Sequence, residues 1–304
     1  MKAFFVFSGQ GAQAVGMGKD LYDACPEAKA VFDRADEVLG YSLKEICFEG
    51  PAEKLTETRY CQVAIYTMSC AALEAFRTAY PAVGPLCCAG LSLGEYAALY
   101  AGGAFSFDNG LKLLAQRAAF MDEDCKATCG TMAPVIGAEM SLIEEVCAKH
   151  DVDIANYNSP AQTVISGERA KVEAAAAEFK ERGVRKVIVL NVAGAFHSRL
   201  MKPASKKLAA VLADAEIAMP RVPGFHNFTG RPAASVEELR ADLAGQVAGS
   251  VRWEACARAA VAMGADTMIE FGPGNVLTGL MHRTVPEVAL VNINSLETLK
   301  SFTL

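Results

Sequence analysis

The sequence predicts an α/β protein: a large domain built on a mostly parallel sheet, interrupted by a small ferredoxin-like insert of order βαββαβ. Three observations predict it. Short apolar runs alternate with amphipathic helical periods at both ends of the chain, the middle changes to a strand-rich pattern, and the 304 residues are 52% hydrophobic against 21% charged, enough for a large core without disulfides or metals. The expected division is 1–127 with 194–304 for the large, discontinuous domain and 128–193 for the small one.

Residues 3–7 form an apolar run rich in Phe and Val, followed by Gly9, Gly11, Gly16 and Gly18, which reads as a buried strand and a long loop. Residues 26–39 set Ala30, Val31, Ala35, Val38 and Leu39 on one helical face, with Pro26 in the first turn and Gly40 past the end. A more apolar helix spans 62–80. A strand at 86–91 leads directly into Ser92 and a helix at 95–100, and a further helix runs over 107–121 with Ser106 or Asp108 as its cap. The insert then reads strand 132–137, helix 141–150, strands 153–158 and 163–167, helix 169–182 and strand 186–192. Helix returns at 198–212, strand at 267–271, helix from Asn275, and a last strand at 288–293.

The formal charge of −6 supplies no field for a nucleic-acid backbone or an anionic membrane. Ten cysteines without a C-x-x-C pair are read as reduced, mostly buried thiols. The apolar run at the start is too brief for a secretory signal and no stretch is long enough to cross a bilayer, so a cytoplasmic protein is expected.

The strongest chemical signal is Gly90-Leu91-Ser92-Leu93-Gly94, a G-x-S-x-G sequence between an apolar strand and a helix, as at the nucleophile elbow of an α/β-hydrolase-like domain. Glycines two residues to either side allow backbone to pass close to backbone, and the helix that follows aims its N–H groups at any oxyanion formed there, Leu93 first. A serine N-cap in a glycine-rich turn is the plainer reading. A serine nucleophile needs a base, and the chain has four histidines. His150 ends a helix of the insert, His282 sits beside Arg283 at a polar helix end, and His226 in Gly-Phe-His-Asn-Phe fits a satisfied core position. His197 lies where the insert rejoins the large domain, and clefts form at such junctions. Gly9-Gln10-Gly11-Ala12-Gln13-Ala14 has a dinucleotide-like spacing, but Gly16 and Gly18 follow where a helix should begin, so an anion or oxyanion role for its amides is preferred. Arg117 lies on an apolar helix and needs an anionic partner, either a structural carboxylate or a substrate.

These residues fall into one pattern. Phe7-Ser8-Gly9-Gln10-Gly11-Ala12-Gln13, Gly50-Pro51-Ala52-Glu53, Ser92-Leu93-Gly94-Glu95-Tyr96, Arg117 with Phe120-Met121, Asn156-Tyr157-Asn158-Ser159-Pro160, Gly194-Ala195-Phe196-His197-Ser198 with Leu200-Met201, and Gly272-Pro273-Gly274 occur in this order. With them the chain resembles malonyl-CoA:acyl-carrier-protein transacylases over essentially its whole length. The resemblance implies Ser92 as nucleophile, His197 as base, Arg117 as the grip on the malonyl carboxylate, the amides of Gln10 and Leu93 as oxyanion hole, and the carbonyl of Gln246 as the group that orients the histidine. Leu91 and Phe196 are expected to line the acyl pocket. Three positions depart from the family's usual pattern: Leu91 for histidine, Ser8 for proline, and Ser250 for proline before Val251-Arg252-Trp253.

The implied activity is ping-pong transfer of malonyl from malonyl-CoA to the phosphopantetheine thiol of acyl carrier protein, without metal or redox cofactor, by a monomer feeding fatty-acid elongation. Lys202, Lys206, Lys207 and Arg199, with Arg182, Arg185 and Lys186, are expected to dock the acidic carrier. A trans-acting acyltransferase of polyketide synthesis is the alternative. A serine esterase or thioesterase would share Ser92 but place its histidine late, after an acid.

Overall fold

The computed structural model describes residues 1–303, and among them the strands form two separate sheets. The first is parallel, in the order β2 (Pro85–Gly90), β1 (Ala3–Phe7), β7 (Thr267–Phe271), β8 (Ala289–Ile293). Alternation along β1 explains why every residue of it is buried. Phe5 and Phe7 face a core shared with Phe271 and the helix Thr58–Ala79, whereas Phe4 and Val6 face a second core under Trp253 and the helices Trp253–Ala262 and Val276–Thr284. A parallel sheet covered on both faces has no polar side to display, which is why these runs read as continuously apolar.

The second sheet contains β3 (Gly130–Ile136), β4 (Asp153–Ser159), β5 (Gln162–Glu168) and β6 (Lys186–Val187), antiparallel in the order β4-β5-β3-β6. With the helices Met140–His150 and Arg169–Glu181 it forms the expected ferredoxin-like βαββαβ arrangement around Ala133, Val135, Ile165 and Phe179. Its last strand is shorter than the expected 186–192. The Ile188 amide still donates to Pro134 O at 3.3 Å, but Pro134 has no N–H to return, so the ladder loses a bond there. Beyond the gap Leu190 N donates to Met132 O, and the Thr131 hydroxyl donates to Leu190 O.

Other boundaries shift by a few residues. The helix Pro26–Leu39 ends at Gly40, whose φ of 74° suits a residue without Cβ, but Ala28 and Phe32 face the core and Ala30 is exposed. Ser106, not Asp108, caps the helix Phe107–Ala127 by accepting from the Asn109 amide; Asp108 pairs with Arg34. The returning segment begins as a single 3₁₀ turn, Arg199–Met201, before the helix Lys202–Asp214. The helix Val236–Ala248 was not expected, although Ser235-Val236-Glu237-Glu238 has the S-x-x-E start signal and Ser235 does accept from Glu238 N. Among the described residues no helix is long and apolar enough to cross a membrane.

Candidate active site

The turn after β2 forces the geometry of Ser92. A Cβ on Gly90 would lie 2.0 Å from the main chain of Gly94, and one on Gly94 would lie 2.2 Å from Phe7 O, so only glycine permits the strand and the helix Gly94–Ala101 to approach this closely. Ser92 takes a φ of 54°, a left-handed conformation costly for a residue with a Cβ. The surroundings hold it there. Its amide donates to Asn227 Oδ1 at 2.6 Å, its carbonyl accepts from Glu95 N and from Gln246 Nε2, and Asn227 Nδ2 in turn donates to Gly90 O.

His197, also at positive φ, brings Nε2 to 2.8 Å from Ser92 Oγ and Nδ1 to 2.7 Å from the main-chain oxygen of Gln246. A carbonyl only accepts, so Nδ1 carries the proton and Nε2 turns a lone pair towards the hydroxyl. Burial, and then the charge of Arg117, lowers the imidazole to about 4, whereas the contact with Gln246 O works against that shift. At neutral pH the ring is therefore uncharged, with its one proton on Nδ1 and Nε2 free to accept. An esterase-type triad would have a carboxylate at Nδ1, and the carbonyl of Gln246 stands there instead.

Arg117 is 1% exposed and forms no ion pair among the described residues. Its Nη1 donates to Gln62 Oε1 at 2.5 Å, and Nη2 donates to Gln246 Oε1 at 2.8 Å and to Ser92 Oγ at 2.9 Å. Nε is buried without a partner among the described residues, and Tyr96 stacks near the guanidinium at 5.9 Å. Burial pulls its pKa below the ordinary arginine value. Of the two partners left open by the sequence, a structural carboxylate in ion-pair contact is therefore not what holds it. A buried cation with no carboxylate in contact, hydrogen-bonded to the Ser92 hydroxyl, carries charge that no protein anion neutralises directly.

The first loop lies against the elbow: a Cβ on Gly9 would sit 2.8 Å from Leu91 O. Neither the Gln10 amide nor the Leu93 amide donates to a protein acceptor among the described residues. Ser8 anchors this loop, with its amide donating to Phe271 O at 3.2 Å and its hydroxyl to Pro273 O at 2.9 Å. The loop reaches Gly18 before the helix Lys19–Ala24 begins, unlike a dinucleotide turn. Leu91 is half-buried against the second core, and Phe196 is buried in the first.

Glu95 and Asn227, to which the sequence assigns no role, join His226, read as a core position, in one buried network with Gln246: Glu95 accepts from His226 Nδ1 at 2.7 Å, Asn227 N at 2.9 Å and Gln246 Nε2 at 2.7 Å. Burial presses the His226 imidazole down, but the hydrogen bond and charge of Glu95 outweigh it and hold the ring above its ordinary pKa. Of the proposed docking cations, Arg199 is tied to Asp151 and Asp153, Arg182 to Glu145 and Lys207 to Glu123, whereas Lys202, Lys206, Arg185 and Lys186 are exposed and form no ion pair among the described residues. His150 pairs with Glu178 at 2.6 Å and His282 is exposed. Eight of the ten cysteines are buried and all are free, as expected; Cys129 is exposed. No cluster of three or more His, Cys, Asp or Glu side chains suited to a metal occurs among the described residues.

Residues 4–300 match the acyl transferase domain family. The chain is 40% identical over 304 residues to the malonyl CoA-acyl carrier protein transacylase of Bacillus subtilis, covering 98% of this chain and 95% of that one. It is 41% identical over 288 residues to that organism's polyketide biosynthesis malonyl CoA-acyl carrier protein transacylase PksC, covering 92% and 96%. Among solved structures, the acyl-carrier-protein-S-malonyltransferase of Bartonella henselae superposes with a TM-score of 0.94 at 34% identity over 99% of this chain and 98% of that one. A malonyl-transacylase solved in complex with its type II PKS acyl-carrier protein matches equally, with a TM-score of 0.94 at 34% identity over 99% and 98%. A full-length match of this kind, joined to a serine elbow with its histidine and arginine in contact, shows that the chain belongs to the acyl transferase domain family.

Proposed function

We propose that the protein moves a malonyl group from malonyl-CoA to the phosphopantetheine thiol of an acyl carrier protein, through a malonyl ester on Ser92. One observation carries the reading: Ser92 Oγ lies 2.8 Å from an imidazole nitrogen that can take its proton and 2.9 Å from a buried guanidinium. Attack by Oγ on the thioester carbonyl passes the hydroxyl proton to His197 Nε2, and the oxyanion forms beside the free amides of Gln10 and Leu93. Collapse breaks the C–S bond, and the departing thiolate takes the proton back from His197. The carrier's thiol then runs the same steps in reverse. The malonyl carboxylate stands one methylene from the reacting carbonyl, within reach of Arg117, whose planar fork binds it in two contacts. Gln246 orients the base, and Leu91 and Phe196 bound the acyl group.

The reaction fits a discontinuous large domain of residues 1–127 and 194–304 carrying Ser92, Arg117 and His197, with 128–193 as the smaller unit, acting as a monomer in the cytoplasm where CoA thioesters and carrier proteins meet. The carrier we propose is that of fatty-acid elongation. The polyketide relative, at 41% identity, supports the second reading, and relative rates with the two kinds of carrier protein separate them.

Intact-mass measurement after incubation with malonyl-CoA tests the proposal. The wild type should gain the mass of one malonyl group, Ser92→Ala none, and His197→Ala should gain it several orders of magnitude more slowly, because nucleophile and base act as a unit. A malonylated Ser92→Ala protein would sink the assignment.

A further inference from the structure

Glu95 is 1% exposed and hydrogen-bonds neither His197 nor Arg117. Its oxygens are fully engaged: Oε1 accepts from His226 Nδ1, and Oε2 from the Asn227 amide and Gln246 Nε2. A carboxylate only accepts and a guanidinium only donates. The Gln246 side chain lies between one of each, so its amide has a single workable orientation, with Nε2 towards Glu95 and Oε1 towards Arg117 Nη2. The flipped amide would set two acceptors face to face at Glu95 and two donors face to face at Arg117.

We infer that Glu95 is a positioning residue for acyl selectivity: it orients the Gln246 amide, and through that amide it holds the Arg117 guanidinium beside Ser92. The inference rests on the malonyl-transfer reading above. Gln62 secures the other end of the fork from the helix Thr58–Ala79, so Glu95 governs the donor nearest the nucleophile. Glu95 also reaches the elbow through Asn227, and a purely structural role by that route would slow every acyl group alike.

The test is the ratio of Ser92 acylation rates from malonyl-CoA and acetyl-CoA, in which any common loss cancels. In Glu95→Ala the ratio should fall at least about tenfold, the size of a lost hydrogen bond to a charged group. Gln246→Met should lower it by a similar factor, and the double variant should fall no further than either single one, because both act through one contact. Glu95→Gln should stay within about threefold of the wild-type ratio, since its amide oxygen can still face Gln246 while its NH₂ faces His226, whose buried Nε2 lacks a partner and can take the proton. An unchanged ratio in Glu95→Ala, or additive losses in the double variant, overturns the inference. Should Glu95→Ala show no cooperative unfolding transition, Glu95→Asp, which withdraws the carboxylate by a methylene, replaces it under the same criteria. A wild type that takes no malonyl defeats the transferase reading itself; a malonylated wild type with unchanged variant ratios defeats only the role of Glu95.

Discussion

Arg117 Nη2 and Ser92 Oγ lie 2.9 Å apart, so the cation proposed to select the acyl group also touches the atom proposed to attack it. The same charge is the second cause, after burial, of the low imidazole pKa of His197. The proposed part of Arg117 in substrate choice and the effect of its charge on the His197 imidazole separate in different experiments.

The first is the pH profile. His197 must be neutral to accept the serine proton, and its pKa is lowered to about 4, so acylation should be flat from neutral pH down to about 5 and fall to half near the pKa. Removing the charge with Arg117→Gln should move this acid limb upward, part of the way to the ordinary histidine value of 6.5, because burial remains. Single-turnover CoA release against pH measures it, and an acid limb already near 6.5 in the wild type contradicts the geometry.

Gly90→Ala should destabilise the fold by on the order of 3 kcal/mol, since the added methyl must displace the main chain of Gly94 rather than a flexible side chain. Denaturant unfolding gives the loss, and acylation by any acyl-CoA should fall with it, because the left-handed turn at Ser92 depends on that close approach.

Phe196 precedes the base and is 6% exposed. Its bulk should leave little room for a branched acyl group, so the wild type should use methylmalonyl-CoA poorly, and Phe196→Ala should raise its rate relative to malonyl-CoA by about tenfold, the usual worth of a methyl in an apolar pocket. Competition between the two thioesters checks it; a ratio that does not move removes Phe196 from the pocket.

Local chemistry was readable in the sequence where it is local in the chain. Gly90, Ser92 and Gly94 lie within five residues between an apolar run and a helical segment, and strand, turn and helix follow from that local pattern. His197 stands apart from the other three histidines by its place at the edge of the insert. The supporting network was hidden for a physical reason: Glu95 meets His226, Asn227 and Gln246 across 131 to 151 residues of chain, and no local period reports such contacts. Gln246 is marked only by the family resemblance, although the cap at Ser235 signals the helix that carries it. Arg117 read as a buried cation of unknown partner, since burial follows from its apolar helix face, whereas the absence of a carboxylate beside it depends on the whole fold. The shortened β6 turns on Pro134, a single missing donor in an otherwise regular strand.

The most direct measurement is the rate of Ser92 acylation from malonyl-CoA and from acetyl-CoA by the wild type and Arg117→Ala. Loss of the bidentate contact in this buried setting should cost malonyl transfer on the order of 2–5 kcal/mol while acetyl transfer falls little or rises, and Arg117→Lys should recover only part of the malonyl rate because an ammonium lacks the planar fork. An equal loss for both acyl groups would contradict the account and leave Arg117 as a structural support of the serine turn.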